Sequence, residues 1–169
     1  PDAIEALRAN LIDVAVVTSP FADKTGLNIN VIKKLQDIVA AGNGFSYLKD
    51  KEISLHELVK YPLICLKNTT TTRNYLDHIF RQHNLLLRPD IELTSINFVM
   101  PMVKNNLGIG FMQYATTKAE IEAGNIFRVN TKEQIPPRSI CAVTASQYET
   151  PEPVQRFIDS LLEKESVNI

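Results

Sequence analysis

Two hydrophobic periods take turns along the chain, and their succession predicts helices and strands in alternation. Residues 12–18 (IDVAVVT) form a β-branched, nearly unbroken apolar run of strand length, which reads as a central parallel strand covered on both faces. Ahead of it Ile4, Leu7 and Leu11 recur at helical spacing, with Ala3, Ala6 and Ala9 favouring helix. Residues 31–41 are ambiguous. Val31, Ile32, Leu35, Ile38 and Val39 fit a helix, while the terminal IVAAG fits a short buried strand, and Gly42-Asn43-Gly44 ends either one.

Punctuation is clearer further on. Ser54 and Glu57 make a capping box for a short helix over 54–60, with Leu55, Leu58 and Val59 on its apolar side. Pro62 stops that helix, and 63–66 (LICL) reads as the next buried strand. A helix follows over 69–83, with Tyr75, Leu76, Ile79 and Phe80 on one face, and then a strand over 91–94. Ser95 caps another helix, whose buried face would be Phe98, Val99, Met102 and Val103. Pro101 there predicts a kink or a late start, because it removes one backbone bond and clashes with the preceding turn. A strand over 109–112, a helix over 116–123 closed by Gly124, and a strand over 138–145 come next. The final helix is capped by Thr150, with Pro151 at its first position and Val154, Phe157, Ile158, Leu161 and Leu162 facing the core. Strands alternating with helices imply an α/β protein with a mainly parallel, doubly wound architecture, whose ligands sit beyond the carboxyl ends of the strands.

Composition narrows the function classes. The chain of 169 residues has 44% hydrophobic and 22% charged residues with 6 Gly and 9 Pro, which excludes collagenous, low-complexity and disordered readings. Eighteen Lys and Arg against nineteen Asp and Glu give a net charge of -1, without the basic patch that a phosphate backbone requires, so this chain is not expected to bind DNA by itself. No apolar stretch approaches the roughly 18 to 20 residues that cross a bilayer, and no leader opens the sequence, so no membrane partner and a cytoplasmic location are expected. Cys65 and Cys141 lie in apolar runs and are expected to be buried and reduced.

Catalytic and cofactor signatures are missing. There is no GxxxxGK, GxGxxG or GxSxG, and His78 and His83 at i, i+5 do not share a helix face as metal ligands would, so no cofactor and no metal are expected. The informative stretch is Lys67-Asn68-Thr69-Thr70-Thr71-Thr72-Arg73, at the junction of a buried strand and a helix. No acid occurs between Lys67 and Leu76, although helix starts favour Asp and Glu. Unpaired N–H groups, hydroxyls and a cation suit a carboxylate, sulfate or phosphate group. Equally, one Thr could act as N-cap while the others face water.

Several segments together resemble the effector-binding domain of LysR-type transcriptional regulators. They are 7–17 (LRANLIDVAVV, against the family's l..g.iDlai), 54–66 (SLHELVKYPLICL, against sl.dL...pli.l), 103–112 (VKNNLGIGFM, against v..GlGia.lp) and 152–162 (EPVQRFIDSLL). Each is degenerate, but their order and spacing cover almost the whole chain. The resemblance implies a two-lobed fold like that of periplasmic solute-binding proteins (type II), with a small molecule held in the cleft. Lobe I would comprise 1–37 and 146–169, lobe II 38–145. It also settles 38–41 as strand. The family's winged helix-turn-helix and the first strand-helix portion of lobe I do not appear in the sequence, which implies a fragment with an incomplete first lobe. Asn10 stands where the family often has Gly, a tolerable exchange because Asn also takes left-handed turns.

Carried over by position, the resemblance lines the cleft with Thr18 and Ser19, with Asn43 and Gly44 at the first crossover, with Thr69, Thr70, Thr71 and Thr72, with Ser95 and Asn97, and with Phe111. It implies a non-enzymatic effector sensor that responds to a small anion, self-associates to a dimer or tetramer, and meets operator DNA only through the missing amino-terminal domain. The alternatives are a transporter's solute-binding protein and, as a third reading, an enzyme on the same fold, which would need an acid/base or nucleophile constellation.

Overall fold

The computed structural model describes residues 3–21 and 23–166, with side chains through residue 163, so the outermost ends of the expected first lobe lie outside it. The chain divides into two compact units, Pro1–Leu35 with Pro137–Ile169 and Gln36–Pro136.

In unit 1, helix α1 (Ala3–Arg8) buries Ile4 and Leu7. Asn10 takes φ 55° and ends it, so Leu11, expected on its apolar face, stands 76% exposed. The sheet has the order β1-β9-β2, from β1 (Ala15–Thr18), β2 (Leu27–Leu35) and β9 (Arg138–Ala145). Both pairings are antiparallel. The run at 12–18 is therefore an edge strand and not a central parallel one, with Val16 51% exposed. A period of two records burial but not the direction of the neighbour. The ambiguous stretch resolves as strand, because a register shift between Val31 and Lys33 marks a bulge at Ile32. That extra residue sets two apolar side chains in succession and imitates a helical period. Helix α6 (Glu152–Ser166) buries Ile158, while Phe157, expected inside, is 44% exposed. Because β9 pairs with β1 and β2, the expected lobe boundary at 145 falls instead between 136 and 137.

Unit 2 is a six-stranded sheet with helices on both faces. Its order is β4-β8-β3-β7-β5-β6, from β3 (Asp37–Gly42), β4 (Glu52–Ile53), β5 (Leu63–Leu66), β6 (Ile91–Leu93), β7 (Ile109–Gln113) and β8 (Ile126–Thr131). β5 is parallel to β6 and β7, and β3 is antiparallel to β7 and β8. Alternate residues of the strands feed two cores. Val39, Leu63, Cys65, Ile109, Phe111 and Val129 pack with Leu55 and Leu58 of α2 (Leu55–Leu58) and with Leu76, Ile79 and Phe80 of α3 (Thr71–Gln82). Ile38, Ala40, Ile64 and Met112 pack on the other face with Val99 and Val103 of α4 (Val99–Lys104), and Ile121 of α5 (Tyr114–Glu122) joins them. Ser54 caps α2 as expected, its side chain accepting from Glu57 N at 3.2 Å. Pro101 is accommodated by the late start: a 3-10 turn over Ile96–Phe98 precedes α4, which leaves the proline in the first helical turn where its missing N–H costs nothing.

Candidate functional site

Three parallel strands of unit 2, β5, β6 and β7, end at one edge of their sheet, and the loops that leave β5 and β6 each run into a helical start. The first bears the threonine run. Thr70 is the N-cap of α3: its Oγ1 accepts from Arg73 N at 3.2 Å and donates to Lys67 O at 2.9 Å. Its hydroxyl is thus spent on the fold. Thr69 and Thr71 are exposed and Thr72 is half-buried. Thr70→Ala is expected to lower stability by about 1 kcal/mol, read as a fall in the urea midpoint with an unchanged slope. The second start is capped by Ser95, which accepts from Asn97 N at 3.4 Å. Lys67 N donates to Leu93 O at 2.9 Å, so the two loops are tied to each other.

Arg73 departs from expectation. Its position suggested a cation available to an incoming anion, but it is only 6% exposed and each of its three guanidinium nitrogens is hydrogen-bonded within the fold. Nε donates to Asp77 Oδ1 at 2.9 Å, Nη1 to Glu92 Oε1 at 2.6 Å and Leu66 O at 3.1 Å, and Nη2 to Leu87 O at 3.2 Å. Burial disfavours its charge, but the hydrogen bonds to Glu92 and Asp77 outweigh that and hold its pKa above the usual value. The group pins the first turn of α3 to the ends of β5 and β6. The missing local acids are supplied from four and nineteen residues away, which no helix-start rule registers. Lys67 is exposed and carries the loop's other positive charge.

The remaining expected residues scatter. β3 runs antiparallel to β7, so Asn43 and Gly44, at its carboxyl end, lie at the opposite edge of the sheet, about 17 Å of strand away at ~3.4 Å per residue. Both have structural work there. Asn43 Nδ2 donates to Gly124 O at 3.0 Å and Gly44 N to Asn106 Oδ1 at 2.6 Å. A Cβ on Gly44 would sit 2.8 Å from Asn106 Cγ. Phe111, expected in the cleft wall, is 4% exposed and meets Phe80 edge-on at 5.9 Å, so it is a core ring. In unit 1, Thr18 ends β1 and Ser19 follows it, its Oγ accepting from Ser139 N at 2.9 Å. Two polar contacts at the α3 edge had no sequence signal: Gln36, whose Nε2 donates to Ile135 O at 3.1 Å, and the hydroxyl of Tyr75, read from the sequence only as part of the apolar face, which donates to Pro136 O.

Both cysteines are free and buried, and burial pushes the Cys65 thiol up to about 12. Among the described residues no three His, Cys, Asp or Glu side chains converge as a metal site, and no helix is long and apolar enough to cross a membrane.

A family model for the LysR substrate binding domain matches residues 1–166. The HTH-type transcriptional activator CmpR of Synechocystis sp. is 29% identical over 111 residues, which is 64% of this chain but 36% of that protein. The regulatory domain of CcmR from Synechocystis PCC6803, solved in complex with 2-PG, superposes with a TM-score of 0.77 at 18% identity, covering 96% of this chain and 78% of that one. The effector binding domain of QuiR in complex with shikimate gives 0.73 at 18% identity, covering 97% and 77%. The mixed α/β fold is that of the effector-binding domains with the periplasmic-binding-protein-like type II architecture.

Proposed function

The chain belongs to the LysR substrate-binding domain family, and on that premise we propose that it senses a small anionic metabolite at the amino end of α3 on behalf of a transcription regulator. The observation that carries this reading is the pairing of two helical starts at adjacent strand ends, held together by Lys67 N and Leu93 O. Thr70 caps the first turn of α3 by accepting from Arg73 N, and Thr69, Thr71 and Thr72 flank that cap in sequence at a helix start whose dipole favours an anion. Ser95 and Asn97 stand at the neighbouring start. Asn43, Gly44 and Phe111 leave the proposed site. Thr70 and Arg73 serve the site by building it.

In the intact regulator, a dimer or tetramer on operator DNA, a ligand that prefers one arrangement of the protein shifts the population towards it. A ligand binding all arrangements equally would switch nothing. Family membership favours this sensing role over the transporter and enzyme alternatives.

A thermal-shift screen against organic acids, amino acids and inorganic oxyanions tests the reading. A ligand at ~100 times its dissociation constant stabilises by about 2.7 kcal/mol, or roughly 5–10 °C in a domain of this size. Thr71 is exposed, so Thr71→Val should leave the unliganded melting temperature unchanged and remove the shift given by an anionic hit. An undiminished shift in that variant places the ligand elsewhere.

A further inference from the structure

Two short stretches of chain connect the units, and both are fastened inside unit 2 to the elements around the α3 edge. One is a single residue, Gln36, between the end of β2 and the start of β3. The other is Pro136-Pro137. Prolines at 136 and 137 fix their own φ angles and force Ile135 and Pro136, each preceding a proline, into extended conformations, so this passage is a stiff strut that transmits a displacement instead of absorbing it. It leads directly into Arg138, the first residue of β9.

Gln36 ties the passages to each other. Its Nε2 donates to Ile135 O at 3.1 Å and to Asp37 O at 3.0 Å, while its own carbonyl accepts from Tyr114 N at 2.8 Å. Tyr75 ties the strut to α3 through its bond to Pro136 O. Tyr75 lies one turn beyond Thr71, on the same side of the helix, and its ring is 8% exposed within the α3 core. Packed that tightly, the hydroxyl does not swing independently of the helix.

We infer that the Tyr75 hydroxyl and the Gln36 carboxamide carry occupation of the α3 site to both chain passages out of unit 2. The inference rests on the reading of α3 given above and adds what that reading lacks, a physical route from ligand to crossover. A ligand that draws on the first turn of α3 displaces Tyr75 with it; Tyr75 displaces Pro136, and Gln36 passes the movement to Asp37. Removing the hydroxyl leaves the site intact and cuts the route.

Sulfate is a sufficient probe. Sodium sulfate is titrated into the 15N-labelled chain against sodium chloride at matched ionic strength, and backbone amide shifts are followed in the parent and in Tyr75→Phe. Thr71 and Thr72 report occupation; Asp37, Arg138 and Ser139 report the passages. In the parent all five should shift with one saturation curve. In Tyr75→Phe the curve at Thr71 and Thr72 should persist while the response at Arg138 and Ser139 is lost. An unchanged response at Arg138 and Ser139 in the variant overturns the route, as does a parent in which only Thr71 and Thr72 respond; both outcomes leave the site standing. Silence at Thr71 and Thr72 in the parent overturns the site and the route together. Gln36→Leu, at an exposed position, provides the same reading through Asp37 should Tyr75→Phe fold poorly.

Discussion

Arg73→Leu is expected to lower the stability of the protein by about 3–5 kcal/mol, the cost of breaking a buried charge network by removing one partner. Two carbonyls, of Leu66 and Leu87, lose their donor, and Asp77, 15% exposed, is left without its counter-charge. Glu92 is 43% exposed and can return to water, so its share of the loss is the smaller one. Arg73→Lys tests geometry against charge. An ammonium keeps the charge but cannot present the planar fork to acceptors on four sides, so it should recover only part of the loss. Replacing Asp77 as well, in Arg73→Leu with Asp77→Leu, should be less damaging than the sum of the single changes, because the stranded carboxylate is then gone. Urea unfolding followed by circular dichroism measures all four. A loss under about 1 kcal/mol for Arg73→Leu would mean that the network behaves as a surface ion pair and does not pin α3.

Phe111→Ala is expected to cost a similar amount, about 3–5 kcal/mol, for a different reason: it empties an aromatic volume from the centre of unit 2. The ring is 4% exposed and meets Phe80, itself fully buried, edge-on at an interplanar angle of 78°. Phe111→Leu retains most of the volume and should cost about 1–1.5 kcal/mol. The shift given by an anionic hit should survive in Phe111→Leu. A cleft-wall residue would show the reverse pattern, with little change in stability and weakened binding. That reverse pattern would restore Phe111 to the ligand.

These two residues also mark where reading the sequence stopped working. Local signals held: Ser54 and Pro62 bound α2, Asn10 took the left-handed turn that ends α1, and Pro101 delayed α4. Each depends on groups within a few residues. Arg73 looked available because its acids come from Asp77 on the far side of a helical turn and from Glu92 on another strand, and tertiary pairing of that kind has no sequence period. Strand direction was illegible for the same reason. The run at 12–18 is equally apolar whether its partner runs with it or against it, and β9 supplies the partner from more than a hundred residues away. Asn43 and Gly44 were misplaced by direction alone: a strand running against β7 delivers its carboxyl end to the wrong edge. Ile32 disguised β2 with a bulge. The placement of the Thr run at a helix start was legible because a cap is local, and the structure gives Thr70 that capping role.

The two cysteines fall one in each unit, Cys65 on β5 and Cys141 on β9, both buried and both with raised thiol pKa values. Burial holds the Cys65 thiol far above the usual range and so keeps its thiolate scarce at neutral pH, and alkylating reagents meet an unreactive group until the strand is released. Labelling rates at the two positions therefore clock the opening of each half of the molecule separately, without any engineered reporter.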